Sequence, residues 1–301
     1  MRETFTKTLE ELASTDPNIM VLTADLGRFF KPFQEKFPKQ FINCGVAEEN
    51  MIGVAAGLAL SGKNVYCYSI IPFLIMRTLE SIRVNICYNN LNVKLLGAGG
   101  GLVYGVEGMT HQAIEDIAIM RVLPNMTVIA PGDLLETEAI ARESVKYPGP
   151  LYIRFGKDNP SPVHQELPNL KIGKGIVLKQ GEKIALITAG TLLFEAKKAT
   201  EKLTEKGVKI TLVSMPTIKP IDKELLEDLA KNHHIIFTLE DHSEIGGLGS
   251  AIAETLPGFK LIKIALPDEY SKYIGKADYL YKCYGLDSES VANKIYESTI
   301  C

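Results

Sequence analysis

The sequence predicts an α/β protein of two consecutive domains, and three observations carry that expectation. The chain has 301 residues, which is about two domains at roughly 150 residues each. Short β-branched runs alternate with stretches of helical periodicity, the pattern of βαβ units around a parallel sheet. Between Gly156 and Gly175 the alternation stops, and Pro160, Pro162 and Pro168 break regular structure there. The expected organisation is a first domain over 1–156, a linker over 157–175 and a second α/β domain over 176–301.

In the first domain, strands are expected at Ile19–Ala24, Asn64–Ile70, Asn92–Gly97, Met126–Ala130 and Leu151–Arg154. Helices are expected at Val46–Ser61, Pro72–Tyr88, His111–Arg121 and Asp133–Lys146. Pro131-Gly132 ends a strand and leaves Asp133 as an N-cap, because a short acidic side chain accepts from the open backbone N–H groups of a helix start. The second domain repeats the alternation. Strands are expected at Lys183–Thr188, Val208–Ser214, Ile235–Leu239 and Leu261–Ala265. Helices are expected up to Lys206, from Asp222 and through Ala251–Leu256.

Composition narrows the function. Hydrophobic residues make up 46% and charged residues 23%, the balance of a globular protein. The net charge of −3 argues against a nucleic-acid partner, which asks for a basic excess. The five cysteines, Cys44, Cys67, Cys87, Cys283 and Cys301, form no CxxC pair and no His/Cys cluster, so reduced thiols and no metal site are expected. No apolar run is long enough to span a bilayer, and MRETFTKTLEEL has no apolar signal core. A cytoplasmic protein without membrane contact is expected.

Three segments could carry chemistry. The first is Cys44-Gly-Val-Ala-Glu48-Glu49 leading into an apolar helix rich in small residues. Glutamates in a first helical turn are favoured by the helix dipole, so capping is the plain reading. Glu48 shares a helix face with Met51, Ile52 and Ala55, and Glu49 shares one with Ile52, Gly53 and Ala56. A carboxylate buried among them would suit proton exchange with a ligand nitrogen. Periodicity leaves open which of the two is buried. The second is the glycine-dense Gly97–Gly101 run, followed by Glu107 and Thr110-His111. It lacks GxGxxG spacing and a following GKS or GKT. Glycines let backbone approach a ligand closely, Thr110 is placed to cap a helix, and ligands collect at strand carboxyl ends, which favours a site role for His111. The third, Leu239-Glu-Asp-His242 to Gly249, is either an anion-binding helix start or a tight turn with close helix packing, and the turn is the expectation.

Taken together, these segments resemble the transketolase family of thiamine diphosphate enzymes. GVAEENMIGVAAGLALSGKNVY resembles the family's pyrimidine-domain signature. PFLIMRTLESIR, LNVKLLGAGGG, GMTHQAIEDIAIMRVLPNMTVIAPGD and GPLYIRFGKDN follow in family order, and LEDHSEIGGLGSAIAE resembles its C-terminal domain motif. The resemblance covers nearly the whole chain but only the C-terminal half of a full-length member. It implies a parallel-sheet pyrimidine-binding domain followed by a transketolase C-terminal-like α/β domain.

The family's GDG motif, which holds the diphosphate and Mg²⁺, is absent here; the chain has Gly132-Asp133-Leu134. The resemblance therefore implies the C-terminal subunit of a split enzyme. Its partner would be an N-terminal subunit that carries GDG and most of the Mg²⁺ site, in an α2β2 assembly.

Residue roles follow from the resemblance alone. Glu48 aligns with the glutamate that hydrogen-bonds the aminopyrimidine and drives its imino tautomer. Phe73 is placed to pack on the pyrimidine, and Asp25 matches an acidic position near the cofactor. His111 matches a histidine facing the donor sugar, and Glu107 stands where relatives carry an aspartate for sugar hydroxyls. Arg2 and Lys157 align with arginines that grip a substrate phosphate. Lys157 lacks the bidentate fork of arginine, and Gly99 and Gly100 replace a histidine or arginine of relatives, so the donor pocket is expected to differ.

The implied activity is transfer of a two-carbon ketol unit from a ketose to an aldose, with sugars or sugar phosphates as substrates. The alternatives are the β chain of a 2-oxoacid dehydrogenase E1, a deoxyxylulose-phosphate synthase-like enzyme, or a non-catalytic assembly or regulatory subunit.

Overall fold

The structure, a computed structural model, describes residues 1–156 and 160–300. Twelve strands are assigned among the described residues, β1 (Ile19–Thr23), β2 (Phe41–Asn43), β3 (Asn64–Ile70), β4 (Val93–Ala98), β5 (Thr127–Ile129), β6 (Leu151–Phe155), β7 (Ile176–Lys179), β8 (Lys183–Thr188), β9 (Thr211–Ser214), β10 (Thr217–Lys219), β11 (His233–Ser243) and β12 (Leu261–Leu266). They form a seven-stranded sheet of order β10-β5-β6-β4-β3-β1-β2 and a five-stranded sheet of order β12-β11-β8-β9-β7. All pairings are parallel except β10 on β5 and β7 on β9. β1, β4, β5 and β6 are buried at every position, as strands covered on both faces must be. The α/β fold of two mainly parallel sheets agrees with the sequence expectation.

Helix Glu48–Leu60 covers one face of the first sheet through Met51, Ile52, Ala55 and Ala56. Helices Arg2–Ala13 and Leu134–Lys146 pack together over the other face, with Phe5, Leu9 and Ile140 in the core. Asp133 caps the latter helix by accepting from Glu136 N at 2.9 Å, as the Pro-Gly-Asp punctuation predicts. No helix of the described residues is long and apolar enough to cross a membrane.

Several elements depart from the sequence expectation. The helix expected over Pro72–Tyr88 is two wide π turns, Pro72–Met76 and Ile82–Cys87, joined by one α turn at Leu79–Ser81. The helix expected from His111 begins at Asp116. Its first residues are instead held by a backbone exchange between Gly101 and Ala113, at 2.7 and 3.1 Å. Strand β11 runs on to Ser243, so Glu240-Asp241-His242 is strand rather than loop.

The two halves also share a sheet. β10, from the second half of the chain, pairs with β5 through Thr217–Ile129 and Lys219–Val128. Residues 160–175 carry no helix or strand. Within them, Val163 N and His164 N donate to Asp133 Oδ2 at 3.1 and 2.9 Å, which ties this segment to a helix start.

Candidate functional site

The carboxyl ends of β1, β3 and β4 lie side by side and collect the side chains singled out in the sequence. Glu48 begins the helix after β2 and is 3% exposed, whereas Glu49 is exposed and takes a hydrogen bond from Ser81. The question left open by periodicity is thereby answered for Glu48. Its side chain caps nothing. Oε2 accepts from Arg77 Nη1 at 3.0 Å, and Oε1 accepts from Ser69 Oγ at 3.4 Å. A buried carboxylate needs such a partner, because desolvation disfavours its charge.

Arg77 follows the first π turn and also stacks over the Phe73 ring, 5.1 Å from its centroid. Phe73 is half-buried, and His111 meets its ring edge-on at 5.2 Å. Tyr104 stands edge-on to His111 at 6.2 Å, and its hydroxyl accepts from Arg2 Nη1 at 2.7 Å. One continuous file of contacts therefore runs from Glu48 through Arg77, Phe73, His111 and Tyr104 to Arg2. Thr110 does not cap a helix; its Oγ1 bonds His111 Nδ1 at 2.8 Å and fixes the ring.

Arg2 also reaches the Tyr68 hydroxyl at 3.3 Å and lies over the Phe29 ring at 4.3 Å. Asp25 shares with Arg2 a cavity of about 250 Å³, lined further by Arg28, Phe29, Tyr68 and Tyr104. Its backbone sits at φ 58°, and Asn43 Oδ1 accepts from both Asp25 N (3.2 Å) and Gly45 N (3.0 Å), locking the turns after β1 and β2 together. Glu107 is exposed on the loop before His111 and stands outside the file of contacts. Lys157 lies outside the described residues.

The glycine-dense run has a different cause from the one expected. A side chain at Gly99 would overlap the Tyr104 ring, one at Gly101 would overlap Asp241, and a Cβ at Gly100 would lie 2.7 Å from Arg154 Nε. These glycines admit neighbouring side chains of the same chain. Beneath them, Arg154 is 2% exposed and bridges the two halves of the molecule. Its Nε meets Asp116 Oδ2 at 2.8 Å and its Nη1 meets Asp241 Oδ1 at 2.7 Å. Tyr152 donates to Asp116 at 2.6 Å and Tyr281 to Asp241 at 3.2 Å. Burial works against the Arg154 charge, but the two carboxylates outweigh it and raise its pKa. This network is the floor of the loop that carries Tyr104 and His111.

The third segment behaves as a turn. Glu240 accepts from Leu248 N at 2.6 Å and Gly249 N at 2.8 Å and so caps helix Leu248–Thr255, while burial raises its pKa. Its anion-binding capacity is thus taken up internally. Arg77, Ser69, Tyr68, Tyr104 and Arg154 escaped sequence reasoning. The one available signal was Arg77 four residues after Phe73, a spacing that puts two side chains on one face of a helical turn.

Residues 1–162 match the family described as "Transketolase, pyrimidine binding domain", and residues 173–291 match "Transketolase, C-terminal domain". The chain belongs to the transketolase family. It is 43% identical to the "Putative transketolase C-terminal section" of Methanocaldococcus jannaschii, over 99% of this chain and 95% of that one. It is 36% identical to an apulose-4-phosphate transketolase subunit of Phocaeicola vulgatus, over 98% and 96%. A solved structure titled "Split gene transketolase, inactive beta4 tetramer" superposes with a TM-score of 0.91 at 38% identity, covering 98% of this chain and 97% of that one. Transketolases depend on thiamine diphosphate, so Glu48 and Phe73 can be weighed against that cofactor. A buried carboxylate and a half-exposed aromatic ring, joined here through Arg77, are groups that suit an aminopyrimidine ring, and in that chemistry the residues fit it.

Proposed function

We propose that the chain is the C-terminal subunit of a thiamine diphosphate-dependent transketolase. In this reading it moves a two-carbon ketol unit from a ketose to an aldose together with a separate N-terminal subunit that carries a GDG motif. The observation that carries the proposal is Glu48, buried at 3% exposure yet held by Arg77 beside the Phe73 ring and His111. A helix-capping glutamate needs none of these neighbours. The bound cofactor would supply the nucleophilic chemistry at its thiazolium ring.

This chain's residues do the rest. Glu48 would hydrogen-bond a pyrimidine nitrogen of the bound cofactor and hold or release a proton there, while Arg77 balances its charge. Phe73 would pack against the pyrimidine, and Asp25 is the acidic residue proposed near the cofactor, on a turn held by Asn43. His111 is fixed at Nδ1 by Thr110, so a proton moves to or from a substrate hydroxyl at Nε2. Glu107 is proposed to contact donor hydroxyls, as the family resemblance implies. Arg2, bonded to the Tyr104 and Tyr68 hydroxyls, and Lys157 are the cations proposed for a substrate phosphate, as the family resemblance implies. Mg²⁺ and the diphosphate would be held mainly by the partner, in an α2β2 assembly. Sugars or sugar phosphates are the substrates, and the cytoplasm is the proposed location.

The test is co-purification with a GDG-bearing chain, thiamine diphosphate and Mg²⁺, followed by a screen of ketose donors. Cofactor-dependent transfer to an aldose is the expected result. Absence of turnover with every donor would refute the proposal.

A further inference from the structure

The geometry points to Tyr104 as the residue that limits how long a substrate the site accepts, by walling off the space between His111 and Arg2. The inference rests on the ketol-transfer reading, which puts the reacting carbons at Phe73 and His111 and extends the rest of the sugar toward Tyr104.

Tyr104 stands between His111 and Arg2. Its ring lies edge-on to His111 at 6.2 Å, and its hydroxyl accepts from Arg2 at 2.7 Å. The ring also fills the place that a side chain at Gly99 would occupy, so it is seated against bare backbone at φ +88°. Backbone below and a guanidinium at the tip hold the ring in one position. Arg2 is itself held, at the Tyr68 hydroxyl (3.3 Å) and over Phe29 (4.3 Å). A cavity of about 250 Å³ lies on the Arg2 side of the ring, lined by Arg2, Asp25, Phe29, Tyr68 and Tyr104, so Tyr104 is the residue through which a chain extended from His111 would enter it. A fixed wall discriminates by length, because each further carbon must displace packed atoms.

The experiment compares xylulose 5-phosphate with a seven-carbon ketose phosphate as donors for the reconstituted complex. Tyr104→Leu is expected to raise the seven-carbon to five-carbon ratio of kcat/KM at least ten-fold. Tyr104→Phe keeps the ring and is expected to hold the ratio within three-fold of the parent enzyme. A merely structural tyrosine would lower both donors together, and an unchanged ratio in Tyr104→Leu overturns the inference.

If Tyr104→Leu fails to assemble, Tyr104→Met, flexible enough to cover Gly99, takes its place under the same criteria. If the parent complex turns over neither sugar, the ketol-transfer reading fails. The wall is then judged on the ratio of the two dissociation constants by calorimetry, with the same ten-fold shift expected. An unchanged ratio, or binding of neither sugar, overturns the inference.

Discussion

Arg77 donates to the buried carboxylate of Glu48 at 3.0 Å and lies over the ring of Phe73 with the same guanidinium. One cation therefore fixes both the buried carboxylate and the aromatic ring. The arginine is about half exposed, so its Coulombic share is screened by water, and its main contribution is to orientation.

Replacing Arg77 with methionine keeps much of the packing and removes the fork. The expected outcome is a loss of about ten-fold in kcat/KM, or about 1.4 kcal/mol, in the reconstituted enzyme, with a fall in Tm because the buried Glu48 carboxylate loses its cation. Steady-state kinetics and a thermal melt check both halves. Unchanged kinetics would remove Arg77 from the site.

Arg154 carries a different expectation. Arg154→Met strands Asp116 and Asp241, which are 0% and 1% exposed, without their cation. Removing one partner of a buried charge network costs roughly 3–5 kcal/mol. The Tm should fall by about 10 °C. Arg154→Lys should rescue little, since a single ammonium cannot span both carboxylates.

Two groups give the stability a pH dependence. Burial opposes the charge on His164, but its hydrogen bond to Glu136 (2.9 Å) and the Glu136 and Asp133 carboxylates outweigh this and raise its pKa. A raised folded pKa gives stability that is fully present below the unfolded value and lost as pH rises through the folded one. The Tm difference between the parent and His164→Gln should therefore be larger near pH 5.5 than near pH 8.5. A difference independent of pH would contradict the pairing.

Lys94 behaves in the opposite sense. It is fully buried near the start of β4, donating to Asn92 and to the carbonyls of Tyr147 (2.8 Å) and Gly149 (3.0 Å). Burial lowers its pKa to about 7. The charged form is penalised in the folded state, fully below about 7, and the penalty fades as pH rises toward the ordinary lysine value. Relative to Lys94→Met, the parent should gain stability between pH 7 and pH 10, as measured by urea denaturation at each pH.

Much of the architecture was legible in the sequence because parallel strands buried on both faces leave continuous apolar runs. Asn64–Ile70 and Lys183–Thr188 match their strands end to end. Short elements were not legible. Phe41–Asn43 and Thr217–Lys219 have three residues each and owe their strand state to pairing partners far along the chain. Periodicity left Glu48 and Glu49 open, the family resemblance pointed to Glu48, and packing shows that Glu48 is the buried one.

The glycine-dense loop misled for a physical reason. A missing side chain marks close approach without saying of what, and here the approaching groups are Tyr104, Arg154 and Asp241. Arg77 went unread because Pro72–Tyr88 reads as one regular helix, whereas the chain winds it as two π turns.

The central claim is that Glu48 acts on the cofactor rather than on the fold. Its most direct test is Glu48→Gln in the reconstituted complex, with thiamine diphosphate affinity and ketol transfer measured side by side. The Glu48→Gln complex is expected to assemble and its transfer rate to fall at least about 100-fold, the scale of a lost acid–base group. Full transfer activity in the Glu48→Gln complex would contradict it.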